Sequence, residues 1–213
     1  MNQIIVLLIF LVVIGFVLIA KNNTRSKFET SDDESGPDTN PEINDLYEFN
    51  RARVLESAGF NEDLLDPSKR YQIMKNLSGN SILASHQMLK NIFYLEMHYR
   101  NADGILEYFE NLYLCGFLLY CIGSLDDVEM MWDAKHINMD TGSGFDIQYL
   151  VGSGVERTMK FCESIGRLDI CEYLNSCIES GDFDYLESWS LGQIEHFGID
   201  QDIMNAKHSK YHL

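Results

Sequence analysis

The sequence predicts an all-α fold, in which a single N-terminal transmembrane helix precedes a soluble multi-helix domain. Three observations predict it: an uninterrupted apolar run near the start, apolar residues at mostly helical spacing after it, and only 3 prolines in the chain. Of the 213 residues, we assign 1–21 to the anchor, 22–41 to an acidic flexible linker, 42–200 to the globular domain and 201–213 to a polar tail.

The predicted anchor is the run IIVLLIFLVVIGFVLIA, which begins at Ile4 and ends at Ala20. As a helix it is roughly 25 Å long, close to the thickness of a bilayer's hydrocarbon core. A cleaved signal peptide is the alternative interpretation. However, no basic residue precedes the run, and bulky Leu18 stands where a cleavage site needs a small side chain. The sequence therefore favours an uncleaved single-pass anchor.

Basic residues set the expected orientation of this anchor. Lys21, Arg25 and Lys27 follow the run, and no Lys or Arg precedes it. The positive-inside rule then places the C-terminal side in the cytoplasm. The stretch TSDDESGPDTNP that comes next is polar, acidic and free of large apolar residues, so we interpret it as a flexible tether.

Apolar spacing, with proline and glycine at the boundaries, divides the domain into helices. The predicted helices cover residues 41–59, 67–77, 82–101, 104–123, 125–138, 154–165, 168–179 and 183–197. The segment 104–123 is apolar nearly all round, but Glu107, Glu110 and Asn111 favour a buried central helix over a second membrane span. The one candidate strand is the segment IQYLVG.

The net charge of the chain limits the classes of partner that it can bind. The formal net charge is −17, and the first twenty residues carry no ionisable side chain, so the acidity belongs to the remainder. A surface this negative repels nucleic acid and anionic lipid, and it attracts basic proteins. We expect no nucleic-acid binding and a basic protein partner.

The cysteines and histidines give little support to metal or redox chemistry. The five cysteines are an odd number without a C-x-x-C motif, and their helical surroundings predict buried free thiols. His208 and His212 have the spacing of two metal ligands, but they lie beside Lys207 and Lys210 at the end of the chain, which indicates a frayed tail. Without a phosphate loop or a nucleophile motif either, we expect no enzyme activity, no cofactor and no metal.

One short motif, DTGS at Asp140, is typical of aspartic proteases. Such an enzyme needs two aspartates on loops that follow strands, whereas the surroundings here are helical. Helix capping is the preferred interpretation, because S-x-x-D or S-x-x-E motifs begin at Ser124, Ser143 and Ser153. We therefore expect residues 141–144 to form a turn, with Ser143 and Asp146 capping the helix that follows.

Two acidic segments are candidate protein-binding surfaces, because each has carboxylates around an aromatic side chain, as at binding hot spots. The first, LDDVEMMWDAK, contributes Asp126, Asp127, Glu129, Trp132 and Asp133. The second, DFDYLESW, contributes Asp182, Asp184 and Glu187, near Tyr185 and Trp189. The alternative for the first segment is an amphipathic helix whose Trp enters the core while its acids are solvated.

Residues 123–161 resemble a segment of small acidic bacterial immunity proteins, which are encoded beside secreted antibacterial toxins. The resemblance is carried by W-x-A-K at 132–135 and G-x-D-x-Q-x-L-V-G-x-G-V-E at 144–156, and it covers under a fifth of the chain. Immunity proteins share no single fold. The resemblance implies a binding role, in which the protein occludes the active site or surface of a toxin. The anchor departs from the commoner soluble immunity protein.

The leading functional hypothesis is a non-enzymatic, membrane-tethered domain that binds and blocks a basic bacterial toxin as an immunity protein. Its expected location is the bacterial inner membrane, with the C-terminal domain facing the cytoplasm. The first alternative is a membrane-anchored scaffold or assembly factor that binds an endogenous protein, and the second is a hydrolase.

Overall fold

The computed structural model describes residues 62–101 and 107–204. Helices make up 76% of this part, and it contains no strand, so the all-α class is confirmed for it. The predicted anchor, linker and first helix, together with the tail beyond residue 204, lie outside the described residues. None of the helices described is both long enough and apolar enough to cross a membrane.

In the described residues, nine α-helices follow one another between Pro67 and Phe197. They are α1 (Pro67–Lys75), α2 (Gly79–Ile82), α3 (His86–Asn101), α4 (Asn111–Ile122), α5 (Val128–Lys135), α6 (Met139–Gly144), α7 (Val155–Ser164), α8 (Leu168–Ser180) and α9 (Leu186–Phe197). Short 3₁₀ helices at Glu62–Leu65, Leu125–Asp127 and Ile147–Val151 precede α1, α5 and α7. The candidate strand IQYLVG therefore forms a 3₁₀ helix.

Helix α4 is the centre of the core, as its apolar sequence predicts. All of its residues except Tyr113 are buried, and α1, α3 and the 3₁₀ helix Ile147–Val151 pack against it. The five cysteines of the chain are buried and none of them forms a disulfide, as predicted. Burial raises the pKa of the Cys162 and Cys177 thiols to about 11, because the interior disfavours a thiolate.

A buried polar cluster joins α1, α3 and α4. The Arg70 Nε donates to Glu96 Oε1 across 2.6 Å, and the Asn111 Nδ2 donates to the same oxygen across 2.9 Å. The Arg70 guanidinium also donates to the carbonyl of Leu64 across 2.8 Å. A buried charge needs such partners, since an unpaired one costs several kcal/mol, on the order of 3–5. Asn111, which was expected inside a helix over 104–123, is the first residue of α4, because residues 107–110 form a turn, and its side chain is hydrogen-bonded inside the core.

The predicted helix over 82–101 begins later than expected, because a turn at residues 83–85 separates Ile82, the last residue of α2, from α3. Helix α2 ends at Ile82, and α3 begins at His86. The hydroxyl of Ser85 donates to the carbonyl of Ser81 across 2.9 Å, and Ser81 in turn bonds the backbone amide of Ser78. Serine side chains that bond nearby backbone compete with regular helix, which accounts for the interruption.

The expected turn at residues 141–144 is wrong, because these residues belong to α6. Its N-cap is Asn138, whose Oδ1 accepts from the backbone amide of Thr141 across 3.0 Å, while Thr141 Oγ1 accepts from the amide of Asn138. This is the reciprocal arrangement of a capping box. Ser143 lies inside the helix, where its hydroxyl donates to the carbonyl of Met139. Asn138, another good N-cap residue, lies five residues before Ser143 in the sequence.

The structure also differs from the expected helix caps at Ser153 and Ser124. The N-cap of α7 is Gly154, one residue after Ser153. Ser124 does precede a helix, the 3₁₀ helix Leu125–Asp127, but its side chain makes no capping hydrogen bond.

Candidate protein-binding surface

The first acidic segment is divided between the core and the solvent. Asp126, Glu129 and Asp133 are exposed, whereas Asp127 is buried. The Asp127 carboxylate lies 2.7 Å from the Nε2 of His86 and 3.3 Å from the Nζ of Lys90, both on α3. Asp127 therefore fastens the start of α5 to α3, and it is not offered to a partner.

Trp132, the aromatic residue of this segment, packs into the structure. Its side chain is only 9% exposed. The ring of Tyr173 on α8 meets it edge to face, with 5.3 Å between ring centroids, and the centroid of the His136 ring lies 4.3 Å from that of Trp132. The alternative interpretation, an amphipathic helix whose Trp enters the core, describes this arrangement.

Arg167 partly neutralises the first segment. Its guanidinium lies between two carboxylates, 2.8 Å from Glu129 Oε1 and 2.8 Å from Asp169 Oδ2. The hydrogen bond from Arg167 is the main reason that the pKa of Asp169 falls to about 2. Asp126 and Asp133 are the members of the segment that combine exposure with no contact to Arg167.

The second acidic segment keeps its carboxylates at the surface. Asp182, Asp184 and Glu187 are all exposed, and the side chain of Tyr185 between them is 74% exposed. Residues 168–204 contain no Lys or Arg and nine carboxylates, at Asp169, Glu172, Glu179, Asp182, Asp184, Glu187, Glu195, Asp200 and Asp202. The region from α8 to the residues after α9 is therefore the most uniformly acidic part of the described structure.

The structure does not merge the two acidic segments into one patch. Glu129 meets the N-terminal end of α8 through Arg167, while Asp182 follows the C-terminal end of that helix. The thirteen residues of α8 separate them by roughly 20 Å at 1.5 Å per residue. The two predicted surfaces lie at opposite ends of one helix.

The turn after α8 holds the second segment in place. Gly181 ends the helix with φ 81°, and the amides of Gly181 and Asp182 bond the carbonyls of Ile178 and Cys177. This is the hydrogen-bond pattern of a Schellman motif. The Gln148 Nε2 donates to the carbonyl of Asp182 across 2.9 Å, and the Ser180 hydroxyl donates to its carboxylate across 2.8 Å.

Beside this turn, a cavity of about 420 Å³ opens between α7 and the end of α8. Four apolar and two acidic side chains line it: Val155, Glu156, Met159, Ile178, Phe183 and Asp184. Sequence reasoning missed it. The four-residue spacing of Val155 and Met159 places them on one face of α7, but only the packing of α7 against α8 brings Ile178 and Phe183 beside them.

The segment that carries the resemblance makes mainly internal contacts. The buried Lys135 Nζ donates to the carbonyls of Gly142 and Phe145, each across 2.8 Å, and burial lowers the pKa of this lysine. Gly152 packs against α4, where an added Cβ would stand 2.4 Å from the carbonyl oxygen of Tyr120. These contacts give the W-x-A-K and L-V-G elements a structural role.

Asp140, the aspartate of the D-T-G motif, is an exposed residue in the first turn of α6. An aspartic protease holds its aspartates on loops after strands, and the described residues contain no strand. In the same part of the chain, no group of three or more His, Cys, Asp or Glu side chains is arranged to hold a metal ion.

The chain matches no protein-family model, no curated protein and no solved structure.

Proposed function

We propose that this protein is a non-enzymatic, membrane-tethered binding domain for a basic protein, and that its partner is a bacterial toxin which it blocks as an immunity protein. One observation supports the proposal most: residues 168–204 carry nine carboxylates and no Lys or Arg. A field of one sign steers a partner of the opposite sign and raises its association rate.

The exposed side chains of the turn between α8 and α9 suit direct contact with such a partner. Tyr185 offers an aromatic ring that is 74% exposed, and Asp182, Asp184 and Glu187 surround it in the sequence. Aromatic side chains are enriched at binding hot spots, and carboxylates accept paired hydrogen bonds from arginine. The α8–α9 turn is therefore the part of the surface that we assign to the partner.

The tether is the second component of the proposal. The apolar run from Ile4 to Ala20, followed by Lys21, Arg25 and Lys27, favours a single anchor in the bacterial inner membrane with the binding domain in the cytoplasm. Tethering raises the local concentration of the binding domain at the membrane. A toxin that enters the cell through this membrane would meet its inhibitor there.

Co-culture with a sibling strain that carries the neighbouring toxin gene tests the proposal. Deletion of the gene is expected to make cells sensitive, and the wild-type gene is expected to restore protection. A variant with Asp182→Asn, Asp184→Asn and Glu187→Gln should protect less. Its matched control, with Glu107→Gln, Asp140→Asn and Glu163→Gln, neutralises three exposed carboxylates outside both acidic segments and should protect as well as wild type. Survival of the deletion strain would overturn the immunity assignment, and co-purification with a resident membrane complex would favour the scaffold.

A further inference from the structure

The groove between α7 and the end of α8 has a mainly apolar lining. Val155 and Met159 form its α7 wall and are half-buried, while Ile178 forms the α8 wall and is 46% exposed. Phe183, which the α8–α9 turn folds back beside them, completes the apolar lining. Its volume of about 420 Å³ lies within the ~300–1,000 Å³ range of pockets that bind ligands.

Carboxylates occupy the rim of this groove. Asp184 lines it directly and is exposed. Glu156, on the α7 side, pairs with Lys160 across 2.6 Å, and both side chains are largely exposed, so this surface pair is a weak competitor for a partner. On the α8–α9 side, the charged residues near the groove are all acidic. Glu179 follows Ile178 in the sequence, and Asp182 precedes Phe183.

An apolar groove with an acidic rim complements one kind of partner. We infer that the groove receives an amphipathic helix of a basic protein. Leucine or similar apolar side chains of this helix pack against the apolar lining, and its Lys and Arg residues contact the carboxylates of the rim. A helix presents apolar side chains three and four residues apart on one face, with cations beside them, which matches this pattern of surface. The inference deepens the proposed function and rests on it.

Two synthetic peptides serve as probes: a helical Lys/Leu peptide with an apolar face, and a Lys/Ser peptide with the same lysines. Fluorescence anisotropy measures their affinity for the full chain in zwitterionic nanodiscs, with empty nanodiscs as background. Ile178→Ser removes one wall of the groove. Leu168→Ser is the matched control, because Leu168 is a 62% exposed apolar residue at the other end of α8.

The wild type is expected to bind the Lys/Leu peptide at least about tenfold more tightly than the Lys/Ser peptide, since burial of one or more leucine side chains supplies that difference. Ile178→Ser should remove most of this preference, and Leu168→Ser should leave it unchanged. Equal affinity for the two peptides, or an unchanged preference in Ile178→Ser, overturns the groove assignment and leaves the charge-based function standing. If neither peptide binds at low salt, the groove assignment and the proposed function are both overturned, because the protein then does not recognise a basic partner.

Discussion

The indole Nε1 of Trp189 donates a hydrogen bond to the Asp146 carboxylate across 2.8 Å. This bond joins α9 to the residue that precedes the 3₁₀ helix Ile147–Val151, so it links the second acidic segment to the segment that carries the resemblance. The Trp189 ring also packs edge to face on Tyr149 and Tyr120, with 5.2 Å and 5.1 Å between ring centroids. Trp189 thus attaches α9 to the core, and Tyr185 is the aromatic residue of that segment that faces solvent.

Replacement of Trp189 by Phe should destabilise the protein by about 1–3 kcal/mol, because the Asp146 carboxylate would lose its indole donor in a partly buried position. Urea unfolding followed by circular dichroism measures the change. Asp146→Asn, which keeps an acceptor oxygen, is the matched control and should cost less. If Trp189→Phe unfolds at the same urea concentration as the wild-type protein, the hydrogen bond to Asp146 does not stabilise the attachment of α9 to the core.

The ion pair of Arg167 with Asp169 gives a pH prediction. The pKa of Asp169 is lowered to about 2, mainly by its hydrogen bond with Arg167, from an ordinary value of 3.8. A lowered carboxyl pKa contributes stability above the unfolded pKa, and this contribution is lost as the pH falls from about 4 toward 2. NMR titration of the Asp169 side chain should show the low pKa directly.

Arg167→Gln is the control for this titration, since it removes the donor and leaves the carboxylate in place. In that variant, the pKa of Asp169 should return toward 3.8. A pKa near 3.8 in the wild-type protein would contradict the arrangement of Arg167 between Glu129 and Asp169.

The sequence was most informative where a single physical requirement determined the structure. The apolar character of α4 predicts a buried helix, Pro67 marks the start of α1, and Gly181 and Gly198 mark the ends of α8 and α9. These features depend on local chemistry alone. Apolar spacing, together with proline and glycine at the boundaries, is therefore sufficient for most of the helix assignments in the described residues.

Two kinds of feature were not predictable in the same way: the choice between neighbouring N-cap residues, and contacts between separate segments. Asn138 and Ser143 are both good N-cap residues, and the sequence does not say which of them begins a helix. The burial of Trp132 depends on Tyr173 of α8, and the groove depends on how α7 packs against α8. A sequence read in order shows neither contact.

Gly181 permits a prediction about the turn that positions Phe183 and Asp184. Its φ of 81° is a left-handed conformation, and an added Cβ would stand 3.0 Å from the Asp184 carboxylate. Gly181→Ala should therefore lower the free energy of unfolding by about 1 kcal/mol. It should also weaken binding of the Lys/Leu peptide, because Phe183 and Asp184 would shift.

Gly192→Ala is the matched control for Gly181→Ala. Gly192 lies inside α9, and an added Cβ there meets no atom within 4 Å. Alanine in a helix interior is more stable than glycine by roughly 0.5–1 kcal/mol, so this variant should unfold at a higher urea concentration. Opposite signs for the two glycine variants are the expected result, and equal destabilisation would contradict the assigned geometry of the turn.

Substitution of Lys135 distinguishes a structural role of the W-x-A-K motif from a role in binding. Its ammonium donates to the carbonyls of Gly142 and Phe145 at the C-terminal end of α6, where a cation also suits the helix dipole. Lys135→Met keeps the aliphatic stem but leaves both carbonyls without this donor, so it should cost about 1–3 kcal/mol in unfolding free energy. Peptide affinity at a temperature where the variant remains folded should match wild type, because Lys135 does not line the groove. A loss of affinity without a loss of stability would instead make this lysine part of the binding surface.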